Sequence, residues 1–175
     1  MHRSAIVRLV AGSLALLAAG VWLGGIVVLG AIVAPTVFGI VPAPTSADAM
    51  TVVFVSFDKI AMTAAAIVAV AEVVRSRAAP AHRGEAADQA TVTRVDVARL
   101  ALIGGAGLLA VVQGLWLSPT IVSLHRAGAI RGVGALGEKL DRFHGWSETC
   151  GKTESILLVA LVVLLAHALM PRSKD

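Results

Sequence analysis

The stretch LVAGSLALLAAGVWLGGIVVLGAIV, residues 9–33, decides the fold. It is 25 residues long, carries no charge, and exceeds the ~20 apolar residues a helix needs to cross ~30 Å of hydrocarbon. It reads as a first transmembrane helix over 9–34. Arg3 and Arg8 ahead of it, and Leu-Ala-Ala-Gly at 17–20, imitate a signal peptide with its cleavage site, but the apolar run continues well past that point. Pro35, Pro42 and Pro44 are expected to end the helix in a stiff turn, uncharged as far as Ala47. Thr45 and Asp48 then have the spacing of a capping box.

Three more spans follow, over about 52–75, 98–118 and 150–170. The second opens with Met50, Phe54 and Phe57 on one face and becomes apolar all round from Ile60 to Ala71. Residues 76–93 mix Pro, Gly, small residues and both signs of charge, the composition of an exposed loop. The third comes from the charge-free run Leu100–Leu124, interrupted near its end by Ser118-Pro119. In the loop 119–145, Ile130, Val133, Leu136, Leu140 and Phe143 fall on one side of a helical wheel and Arg131, Glu138, Lys139 and Arg142 on the other, the pattern of an interfacial helix. Pro171 closes the fourth span. The expectation is one all-α domain over 1–175, an integral membrane four-helix bundle with an outer interfacial amphipathic helix.

Composition agrees. With 57% hydrophobic and 15% charged residues and a mean hydropathy of +0.85, the chain of 175 residues has too few charges to cover a water-soluble domain. The net charge of +4 does not indicate nucleic acid, because the basic residues sit in short segments between apolar runs. Arg3, Arg8, Arg75, Arg77, Arg83, Arg94, Arg99, Arg172 and Lys174 fall on one side; Arg126, Arg131, Lys139, Arg142 and Lys152 fall on the other. The excess on the first side predicts cytoplasmic termini and a cytoplasmic 76–93 loop. Cys150 stands alone, so no internal disulfide forms.

Polar groups inside hydrocarbon cost free energy and therefore point to function. Lys59 can snorkel, Glu72 can pair with Arg75 at i, i+3, and His167 lies near a helix end. Asp58 and Gln113 are left without such an explanation. Trp22 falls near the middle of helix one, where its indole N–H needs a partner or packs in a small-residue groove. Gly20-xxx-Gly24 reads as a close-packing device, and Trp116 and Trp146 as an outer aromatic belt. His144, Glu148 and Lys152, at i, i+4, i+8, form one stripe: either a solvated face with a Glu148–Lys152 pair, or, with His125, a set of ligands for a metal or haem.

Three stretches carry a family likeness: Trp22-Leu-Gly24-Gly through Ala34-Pro35-Thr-Val-Phe38, Leu117-Ser-Pro119, and Arg142-Phe143-His144-Gly145-Trp146-Ser147. The chain resembles the transmembrane-protein-205-like proteins, also called domain of unknown function 4149. The likeness implies a four-helix membrane protein of undefined biochemistry and marks Trp22, Gly24, Pro35, Phe38, Pro119, Phe143, His144 and Ser147. The expected function is a non-enzymatic binding or scaffold protein of the bacterial inner membrane, with a small polar site at its outer mouth. No cofactor is expected. Its partners are the lipid bilayer and a second copy or another membrane protein. One alternative is a haem- or metal-dependent oxidoreductase using His144, His125 and Glu148. The other is a small transporter subunit with Asp58 and Gln113 along a polar path, working as an oligomer.

Overall fold

The computed structural model describes residues 2–78 and 86–169. Helix α1 runs from His2 to Val28, passes through a π turn at Leu29–Val33 and continues over Ala34–Ile40. Helix α2 covers Thr45–Arg77. Helix α3 covers Ala86–Val112, a second π turn at Gln113–Leu117, and Ser118–Arg126; α4 covers Gly134–Leu169. No strand occurs among the described residues. All four helices are long and apolar enough to cross a membrane. The shortest spans have 33 residues, about 50 Å at ~1.5 Å per residue, so their ends project beyond a ~30 Å hydrocarbon layer.

α1 and α3 each pack against both α2 and α4, which closes an up-and-down ring. Both described chain ends lie at one end of the bundle, termed here the terminal end; the two short turns, 41–44 and 127–133, lie at the other, the distal end. Buried residues recur every three or four positions: Ala11, Ala15, Ala19 and Trp22 on α1, Ala61, Ala64, Val68 and Ala71 on α2, Ile103, Ala106 and Ala110 on α3, Leu158, Leu161 and Leu165 on α4. Alanines let three helices approach closely while Trp22 and the leucines of α4 fill the centre. The opposite faces offer Leu17, Val21, Val70, Leu108, Val159 and Val163 to lipid.

Several expectations need correction. Neither Pro35 nor Ser118-Pro119 stops its helix. Proline lacks an N–H and crowds the carbonyl four residues back; each π turn absorbs this by widening the helix just ahead of the proline, with the Ala34 N–H reaching the Leu29 carbonyl and the Ser118 N–H reaching that of Gln113. No capping box forms, because the Asp48 N–H bonds to the Pro44 carbonyl (3.1 Å) and is lost to Thr45. α3 begins at Ala86, inside the expected loop; Ala86, Ala87, Gln89 and Ala90 favour helix. The part of that loop at 79–85, and the Pro171 stop, lie outside the described residues.

The amphipathic segment is continuous with the fourth span as the opening turns of α4. Leu140 and Phe143 pack inward against Leu117, Ile121, Leu124 and Ala129. Ile130, Val133 and Leu136 are exposed; the first two precede the helix, in a turn that uses positive φ at Gly128, Gly132 and Gly134. Gly20 and Gly24 pack against nothing in this chain, since a Cβ at either meets no atom within 4 Å. The close approach is at Gly25, where a Cβ would lie 2.2 Å from the Phe57 ring.

Candidate functional site

Each helix sends a polar side chain into one layer on the distal side of the core. On α1, the Trp22 indole N–H donates to Glu154 Oε1 of α4 at 2.6 Å, with both residues buried. On α3, Gln113 Nε2 donates to Ser147 Oγ of α4 at 2.7 Å and to Ser118 Oγ at 3.3 Å. Ser118 is in turn the side-chain hydrogen-bond partner of Asp58 on α2, and the Asp58 and Glu154 carboxyls lie near enough to repel one another when both are charged. A chain of contacts therefore runs Ser147, Gln113, Ser118, Asp58. Gly114 keeps it tight: a Cβ there would lie 3.3 Å from that of Asp58 and 3.0 Å from the Met62 methyl.

The π turn explains why α3 contributes twice. In an α-helix, residues five apart sit about 140° apart around the axis at 100° per residue, too far to share a site. The i→i+5 closure brings Gln113 and Ser118 to the same side. It also leaves the Gly114 and Leu115 carbonyls without their usual donors, because the Ser118 N–H is redirected and Pro119 has none.

Two atoms of this layer are buried with no partner, Asp58 Oδ2 and Gln113 Oε1. The Gln113 oxygen can only accept hydrogen bonds, and so can Asp58 Oδ2 when the carboxyl is ionised. Neither Asp58 nor Glu154 belongs to an ion pair among the described residues. Lys59, next in sequence to Asp58, is exposed.

A second polar cluster lies toward the terminal end. Arg75 holds Glu72 (2.6 Å) and Asp96 (3.0 Å), and Arg99 pairs with Asp96 and with Glu72 (3.4 Å). The expected Glu72–Arg75 pair is present, extended by two residues of α3. Glu72 lies 14 positions from Asp58 on α2, about 21 Å at ~1.5 Å per residue. Ala61, Ala64 and Val68 of the core lie between.

Of the residues singled out from sequence, Trp22, Asp58, Gln113 and Ser147 come together. Ser118 and Glu154 were missed. Glu154 lies four, seven and eleven positions before Leu158, Leu161 and Leu165, so the buried stripe of α4 already contained it. Pro119 and Pro35 act through their π turns, and both are exposed, as are Gly24 and Phe38. Phe143 belongs to a distal aromatic cluster with Trp116 and Trp146, the latter two exposed, with ring centroids 5.1–5.9 Å apart. His144 stacks edge-on against His125 at 5.8 Å. Glu148 turns away to Lys152 (2.7 Å), an exposed pair. The three expected ligands do not converge, and among the described residues no three His, Cys, Asp or Glu gather to hold a metal ion.

No curated protein and no solved structure matches this chain. A family model described as "Domain of unknown function (DUF4149)" matches residues 17–130. That segment contains Trp22, Asp58, Gln113, Ser118 and both π turns, while Ser147 and Glu154 follow it on α4. A match over most of the chain, to a segment that provides three walls of the polar layer, makes this integral membrane protein a member of the DUF4149 family.

Proposed function

We propose that this chain is a non-enzymatic binding protein of the bacterial inner membrane, similar to the transmembrane-protein-205-like proteins, with both termini in the cytoplasm. Its site is the layer of Trp22, Asp58, Gln113, Ser118, Ser147 and Glu154, deeper than the outer mouth, and it takes up a small polar species. One observation carries this: two buried acceptors, Asp58 Oδ2 and Gln113 Oε1, share a layer and lack donors. An orphaned buried acceptor costs ~1–3 kcal/mol, and an occupant supplying positive charge or donors removes that cost.

Orientation rests on Arg3, Arg8, Arg75, Arg77, Arg94 and Arg99 at the terminal end. In a Cys150→Ser background, a cysteine at Ala127 is expected to react with an impermeant maleimide added to intact cells, and one at Arg3 is not. The reverse pattern inverts the topology.

The transporter-subunit reading gains one observation, since Asp58 and Gln113 meet through Ser118. Toward the terminal end, however, the way is closed by Val68, Ala106, Leu158 and Leu161, which favours a static site. The test is labelling with a hydrophobic carbodiimide followed by peptide mass spectrometry, with Asp58→Asn and Glu154→Gln as controls. Modification of Asp58 or Glu154 is expected. If exposed carboxyls such as Asp141 react and neither layer carboxyl does, the layer admits nothing and the reading fails.

A further inference from the structure

We propose that the occupant of the layer is a bare monovalent alkali cation of sodium's class, held by Asp58, Gln113 and Ser118. The inference rests on the reading of the layer as a binding site and names what fills it. Charge is the first reason. Two carboxyls share a layer within apolar spans, and neither has a basic partner among the described residues. Lys59 is exposed on another face of α2, and the arginines of the terminal cluster lie beyond the apolar core. An uncompensated charge in such a place is costly, and a bound cation offsets it.

The donor set is the second reason. Asp58 is 7% exposed, its Oδ2 has no partner, and Oε1 of Gln113 is likewise without one. Ser118 Oγ joins both residues. These ligands are all oxygen, which suits hard cations; His125 and His144 are occupied with one another. Calcium and magnesium sites draw on several carboxylates or on substrate phosphates, and no three acidic or softer ligands converge among the described residues. A monovalent ion balances one carboxylate, Asp58, whose Oδ2 is free, and leaves Glu154 to its hydrogen bond from Trp22. The π turn adds a further source, since it frees the Gly114 and Leu115 carbonyls in the same turn as Gln113. Freed carbonyls of interrupted helices are a recurring means of coordinating sodium inside membranes.

The test uses the full chain in detergent at fixed pH and ionic strength, replacing N-methylglucamine chloride stepwise by sodium, potassium or magnesium chloride. Carbodiimide labelling of Asp58 is timed by mass spectrometry and the melting temperature is followed in parallel. Sodium is expected to slow labelling about tenfold at roughly ten times its Kd and to raise the melting temperature, with potassium and magnesium doing less. Ser118→Ala, which keeps both carboxyls, is expected to label at the sodium-free rate whatever the salt. Labelling of Asp58 at one rate in all four salts overturns the cation while leaving the binding layer intact. Sodium protection that persists in Ser118→Ala overturns the assigned ligands. Absence of any labelling of Asp58 or Glu154 sinks the underlying reading instead.

Discussion

Replacing Trp22 by phenylalanine removes one N–H from the centre of the bundle and shrinks the ring that fills it. That N–H donates to Glu154 Oε1 at 2.6 Å, and the two residues are 0% and 4% exposed. Two magnitudes compete. Hydrogen bonds between membrane helices average ~0.6 kcal/mol and reach ~1.7, because partners can be exchanged. A buried acceptor stripped of its donor costs ~1–3 kcal/mol. The second governs here, since Glu154 has no ion-pair partner among the described residues to replace the indole. Trp22→Phe is therefore expected to lose ~1–3 kcal/mol, to which the smaller ring adds. A double-mutant cycle with Glu154→Leu separates the two contributions: once the carboxyl is gone, the missing indole N–H orphans nothing. The double variant should be more stable than the sum of the single losses predicts, by ~1–2 kcal/mol. Reversible unfolding in mixed micelles of rising dodecyl sulfate fraction, followed by far-ultraviolet circular dichroism, provides the four stabilities. Additivity within ~0.3 kcal/mol would refute the reasoning.

Other substitutions follow from the packing. Gly25→Ala sets a carbon 2.2 Å from the Phe57 ring and should cost ~1–3 kcal/mol, recovered in part by Phe57→Leu; Gly24→Ala, in open space, should stay within ~0.5 kcal/mol in the same assay. Gly137→Ala drives a carbon to 2.1 Å from the Ile130 carbonyl oxygen, a backbone atom that cannot rotate away, so limited proteolysis should cut the 127–133 turn faster than in the parent chain. Glu72→Ala leaves the buried Arg99 guanidinium with only the half-exposed Asp96 and should cost ~3–5 kcal/mol. Arg75→Ala should cost less, because Glu72 keeps Arg99; equal losses in the two variants would mean that Arg99 is not held by Glu72.

Much of this was legible in the residues. Residues 9–33 could be nothing but a membrane span by length and charge alone, and the apolar runs after it required three more. Trp22, Asp58 and Gln113 stood out because hydrocarbon penalises a polar group wherever it lies. Glu154 was equally readable, since it lies on the same stripe of α4 as Leu158, Leu161 and Leu165. The prolines misled. In water Pro35 and Pro119 signal helix ends, whereas in a bilayer an open helix end is costlier than a widened turn, so both helices run on.

By itself, then, the sequence determined an all-helical chain with four spans, because apolar length and charge are properties that each segment carries alone. It also determined that polar groups would lie within those spans. Only the tertiary structure decided which of them meet. Gln113 and Ser118 share a face because the i→i+5 turn rotates one toward the other, and no wheel drawn at 100° per residue contains that rotation. Trp22 finds Glu154 across 132 positions because the ring of helices sets α1 beside α4. His144 and Glu148, neighbours on one stripe, take different partners, His125 for the first and Lys152 for the second. Such pairings depend on how helices pack, and packing is a relation between segments that no segment encodes alone.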